Sequence, residues 1–150
     1  MAGDGTAGEL VVVGVDGSAE SVAALRWAAR YAKATGATLR AVMAWHYPAA
    51  VGPAPAGVAP PQVTDEVRQH MQETLDRIVA EVMPEASATA VETRVAYGHP
   101  AQVLLDESEK ADLLVVGHRG HGGFTGMLVG SVSVHLVSTA SCPVTVIRSR

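Results

Sequence analysis

The chain has a single cysteine, Cys142, among 150 residues. It therefore forms no internal disulfide, and its chemistry suits a reducing compartment. With no paired thiol in the sequence, Cys142 reads as a small packing residue just before Pro143 rather than a redox centre. Aromatic residues are also scarce, at 4 % of the chain. Ala, Val and Leu must build the core, which suits close packing of helices on a sheet. Positive charge is in deficit: eleven Lys and Arg stand against fifteen Asp and Glu, for a net charge of −4. Scattered basic residues and a negative total exclude a general nucleic-acid-binding surface. No apolar run approaches the ~20 residues of a membrane span. The stretch 1–8 has neither the basic start nor the apolar stretch of a signal peptide. It is expected to be a disordered leader, with one domain over 9–150 and a cytoplasmic location.

What the chain does have is alternation of strand and helix signals. Leu10 to Val15 is a continuous apolar run, as in a strand buried on both faces. Ser18 is placed to cap the next helix, with Val22, Leu25, Ala28, Ala29 and Ala32 on one stripe and Gly36 as the stop. Thr38 to Ala44 reads as a second strand. The segment from Tyr47 to Pro61 holds five of the eight prolines and reads as a long irregular loop. Thr64 caps a helix whose stripe is Val67, Met71, Leu75, Ile78, Val79 and Val82. Ala90 to Val95 reads as the third strand. Pro100 opens a helix reaching about Lys110, Leu113 to Val116 is the fourth strand, Ser131 to about Thr139 a helix, and Val144 to Ile147 the last strand. This order predicts a single α/β domain with a mostly parallel sheet. Ligands of such sheets bind beyond the C-terminal strand ends.

One loop at that edge is unusual. Residues 117–130 hold six glycines in fourteen positions: Gly117, Gly120, Gly122, Gly123, Gly126 and Gly130. Ordering glycine is entropically costly, so such density calls for a purpose. A strand, a glycine-rich loop and a helix start together cradle phosphate, because the helix start offers unpaired N–H groups and a positive dipole end. Ser131 and Ser133 add hydroxyls, and Arg119 a charge that offsets phosphate. Other nucleotide motifs are absent. There is no G-x-x-x-x-G-K-[ST], and Gly14-Val15-Asp16-Gly17-Ser18 lacks G-x-G-x-x-G. His118-Arg119-Gly120-His121 resembles the H-x-G-H of class I nucleotidyltransferases. It follows the fourth strand rather than the first, and no second signature accompanies it. His118 and His121 lack a third ligand at metal-site spacing. His46, His70, His99 and His135 read as ordinary histidines.

Three stretches together resemble the universal stress protein family over nearly the whole chain. They are Val11-Val12-Val13-Gly14-Val15-Asp16-Gly17-Ser18, Ala111-Asp112-Leu113-Leu114-Val115-Val116-Gly117, and Gly117-x2-Gly120-x9-Gly130-Ser131, the last similar to the signature of the family's ATP-binding branch. The resemblance implies a five-stranded parallel sheet in order 3-2-1-4-5 with helices on both faces, in the Rossmann-like or flavodoxin-like manner. It implies ATP as ligand, with Mg²⁺ or Mn²⁺ bridging its phosphates and no dedicated catalytic residues. Carried over by position, Asp16 and the backbone near Val42 face the adenine end. Gly117 and its neighbours hold ribose and phosphate, and Gly130, Ser131, Val132 and Ser133 hold the outer phosphates. Gly14, Gly98, Val116, His118, Arg119, Gly120, Gly122 and Gly123 complete the expected site. The family also implies a homodimer through the final strand, Val144 to Ile147. The expected function is a nucleotide-dependent stress or signalling switch. A slow ATPase using Asp16 or His118, and a cAMP-binding protein, are the alternatives. His118 and His121 depart from the family's usual pattern.

Overall fold

The computed structural model describes residues 8–46, 64–84, 91–118 and 131–148. Five strands and four helices alternate along them: β1 (Leu10–Gly14), α1 (Ala19–Thr35), β2 (Thr38–Trp45), α2 (Asp65–Val82), β3 (Val91–Tyr97), α3 (Pro100–Ser108), β4 (Leu113–Gly117), α4 (Ser131–Thr139) and β5 (Val144–Ile147). All strand pairings are parallel, and the order across the sheet is β3-β2-β1-β4-β5. The expected single α/β sheet is therefore observed, strand order included. The expected leader and the proline-rich loop from Tyr47 to Pro61 fall outside the described residues, apart from Gly8.

Alternate side chains of each strand feed two cores, as the period-2 geometry of a strand requires. Val11, Val13, Leu39, Ala41, Met43 and Val115 pack under α1 and α2, where Ala24, Leu25, Ala28, Leu75 and Val79 meet them. Val12, Val42, Leu114 and Val116 pack under α3 and α4, against Leu104 and Leu136. Helices on both faces explain why β1 and β4 read as unbroken apolar runs. Cys142 is half-buried at the border of this second core.

The helix boundaries follow from local chemistry. Ser18 accepts from the Ser21 N–H, and Gly36 ends α1 in the left-handed region at φ 75°, where an L side chain is strained. Thr64 accepts from the Val67 N–H and starts α2, with Asp65 and Glu66 in its first turn. The ends of β1, β2 and β4 differ from the sequence expectation by one residue, and two boundaries differ by more. β3 runs on to Tyr97 because β2 stays paired with it as far as Trp45. α3 ends at Ser108, earlier than Lys110, as its backbone tightens into a closing turn in which the Lys110 N–H donates to the Glu107 carbonyl.

Candidate functional site at the C-terminal sheet edge

β1 leads into α1 on one face of the sheet, whereas β4 leads towards α4 on the other. The two connections diverge between β1 and β4, and this is the switch point where an α/β sheet opens a crevice. The β1 side of the edge is a local hydrogen-bond network. Asp16 Oδ1 accepts from the Ser18 N–H at 2.9 Å and from the Ser18 hydroxyl. The Ser21 hydroxyl donates to the Ser18 carbonyl at 3.0 Å and accepts from the Asp16 N–H at 3.2 Å. Gly17, at φ 85°, makes the reversal between them. The Asp16 carboxylate is thus held at the start of α1, where the helix dipole favours an anion, while the residue remains exposed.

On the β4 side, Gly117 closes against α1. A Cβ there would lie 2.7 Å from the Glu20 carbonyl carbon and 2.8 Å from its oxygen. Glycine is thus required for the approach of β4 to the first turn of α1, a role that sequence reading had not given it. The Ser133 hydroxyl donates to the Gly117 carbonyl at 2.7 Å and is itself buried. That bond draws the first turn of α4 onto the end of β4. His118 follows, its N–H donating to the Ile147 carbonyl at 2.7 Å. The residue is 8 % exposed, and Nε2 has no hydrogen-bond partner among the described residues.

The other expected site residues are distributed along the same edge. Gly14 ends β1 with Val42 as its register partner. The Val42 carbonyl accepts from the Val15 N–H at 2.9 Å, and its side chain is buried among the residues under α3 and α4. Val116 is buried in that cluster too. Ser131 is exposed at the start of α4, and Val132 is half-buried behind it. Gly98 follows β3, donating its N–H to the Trp45 carbonyl at 2.8 Å. It stands three strand spacings from β4, about 14 Å across the sheet. Arg119, Gly120, Gly122, Gly123 and Gly130, with His121, lie outside the described residues.

Sequence reading missed a group at the far end of this edge. Trp45 and Tyr97 meet edge to face at 5.0 Å, and His46 stacks on His99 at 5.3 Å and 14°. His99 also caps α3, its Nδ1 accepting from the Ala101 N–H at 3.3 Å. Only the β2–β3 register brings these rings together, so no local pattern announces them. Among the described residues, no group of three His, Cys, Asp or Glu side chains is placed to hold a metal ion. No described helix is long and apolar enough to cross a membrane.

These features define a class: a doubly wound α/β domain whose open edge pairs an aspartate turn with a helix start clamped to a glycine. Comparison with known proteins narrows it further. The chain belongs to the universal stress protein family, whose sequence profile matches residues 9–148. It is 38 % identical over 145 residues to a universal stress protein of Mycolicibacterium smegmatis, covering 92 % of this chain and 47 % of that protein. The chain thus spans about half the length of the first curated relatives it matches. Among solved structures, a universal stress protein in complex with cAMP superposes with a TM-score of 0.69 at 28 % identity, covering 97 % of this chain and all of that one. The Archaeoglobus fulgidus universal stress protein in complex with dAMP has a TM-score of 0.66 at 24 % identity, covering 93 % of this chain and 97 % of that one, and shares the fold.

Proposed function

We propose that this chain binds ATP at the β1–β4 edge and acts as a nucleotide-dependent switch in a stress response. One observation carries the reading. The topology gathers the Asp16 turn, the end of β4 at Gly117 and the start of α4 at Ser131 to Ser133 around one switch point, and the intervening sequence is Gly117-x2-Gly120-x9-Gly130-Ser131. A helix start preceded in sequence by a glycine-rich stretch suits a polyphosphate. Mg²⁺ or Mn²⁺ belongs to the same reading, as a cation arriving with the phosphates and held by their oxygens and water. Cytoplasmic action as a homodimer belongs to the same reading.

A second reading, cAMP as the ligand, is supported by the cAMP complex of the structure at 28 % identity. The two ligands make different demands. A cyclic monophosphate presents one phosphate, so the exposed Ser131 hydroxyl matters to ATP far more than to cAMP. Titration calorimetry with both ligands, on wild type and Ser131→Ala, separates the readings. The ATP reading expects tighter ATP than cAMP binding and a several-fold loss of ATP affinity in the variant. Tighter cAMP binding that ignores the substitution favours the alternative, and no binding of either overturns both. Gly117→Ala is unsuitable as the probe, because its clash with Glu20 would disturb the site without touching a ligand.

A further inference from the structure

We propose that the His118 imidazole donates from Nε2 to a phosphate oxygen of the bound nucleotide, and so makes the site distinguish a nucleotide from its nucleoside. This rests on the reading that a nucleotide occupies the β1–β4 edge. The starting observation is the buried Nε2 with no partner among the described residues. Native proteins rarely leave such an atom unsatisfied, since it has given up water for nothing. If His118 served packing alone, a phenylalanine or leucine would fill the place with no nitrogen to satisfy.

Its position says what would satisfy it. The His118 N–H still bonds to Ile147, so the residue continues the β4 ladder. Side chains alternate along that ladder. Val116 belongs to the core under α3 and α4, and the missing side chain of Gly117 would strike Glu20 in α1. His118 therefore falls on the α4 side. There the Ser133–Gly117 bond holds the first turn of α4 against the strand end. The N–H groups of that turn have no acceptor within the helix, and the dipole favours negative charge. An imidazole N–H at Nε2 is likewise a donor without an acceptor among the described residues. The shared partner of these groups is an oxygen-rich anion, and a phosphate supplies several oxygens at once.

The test uses His118→Phe and His118→Gln in the full chain. Affinities for ATP and for adenosine are measured by competition against a fluorescent ATP analogue, and thermal unfolding is followed without ligand. The expected result is that phenylalanine weakens ATP about tenfold or more, changes adenosine less than about twofold, and leaves the ligand-free melting temperature unchanged or higher. Glutamine, which keeps an N–H donor, is expected to retain ATP affinity within about threefold. The inference is overturned if His118→Phe binds ATP as wild type does, or loses ATP and adenosine in equal proportion. It is also overturned if both variants lose ATP affinity together with melting temperature, since that is the mark of a packing role. Wild-type protein that binds neither ligand overturns the nucleotide reading, and this inference with it. Wild-type binding that is indifferent to His118 overturns this inference alone.

Discussion

Gly117 and Gly36 are both glycines by necessity, for different reasons. At Gly36 the backbone is left-handed and nothing lies within 4 Å of an added Cβ. The cost of Gly36→Ala is conformational alone, about 1 kcal/mol. At Gly117 the obstacle is the backbone of Glu20 at 2.7 Å, which has nowhere to go without moving α1. Gly117→Ala should cost about 2–3 kcal/mol, and urea unfolding of the two variants would rank them. The Gly36 stop was legible in the sequence, because a helix C-terminus followed by glycine is a local pattern. The steric demand at Gly117 was not, because Glu20 lies far away along the chain. The same holds for Ser133, whose hydroxyl meets a carbonyl 16 residues away. Cys142 is a milder case of context. Burial, and then the charge of Asp112, push its thiol above the usual cysteine range. Less thiolate is present at any given pH, so alkylation by iodoacetamide at pH 8 should run slower than for free cysteine and keep accelerating at higher pH. A rate profile levelling off by pH 8 would contradict this.

At the scale of elements, the attachment of α3 is the part the sequence least reveals. Glu107 reads as one more acidic residue on a short helix, yet it is 5 % exposed. Its two oxygens accept from Arg40 on β2 and Arg94 on β3, each at 2.9 Å. Arg40 also donates to Glu92 at 2.8 Å. This bridge spans three elements and seals the margin where the apolar core under α3 gives out. Arg40 keeps Glu92 when Glu107 is lost, and Arg94 is half in solvent. Glu107→Ala should therefore cost about 2 kcal/mol, below the range for a fully stranded buried partner. Denaturant unfolding measures it, and a loss under about 0.5 kcal/mol would reduce the bridge to a surface ion pair. The helices themselves were well marked, since Ser18, Thr64 and Pro100 are start signals that act within one turn. Their tertiary attachments depend on register, which the arginines on β2 and β3 do not announce.

At the scale of the molecule, β5 is an edge strand with every side chain half-exposed. On α4, Val134 and Val137 are 52 % and 60 % exposed. Among the described residues no strand pairs with the outer edge of β5, and such an edge beside exposed apolar residues invites a second chain, which supports the proposed homodimer. Val137→Lys combined with Val134→Lys should shift the mass measured by light scattering from dimer to monomer. A dimer that survives both lysines would place the interface elsewhere. The strand order itself was legible only through the family resemblance, since periodicity alone does not say which strand is central. That centrality has a consequence in time. β1 is synthesised ahead of the other four strands, yet its N-terminal amide at Leu10 bonds to Asp112, 102 residues later. β2 can pair with it early, but β4 emerges only after several further seconds at about 10 residues per second. Through that interval the growing chain carries a Leu-Val-Val-Val strand with one open edge, the form most prone to mispairing. Nucleotide cannot shorten that exposure, because half of its proposed seat has yet to leave the ribosome.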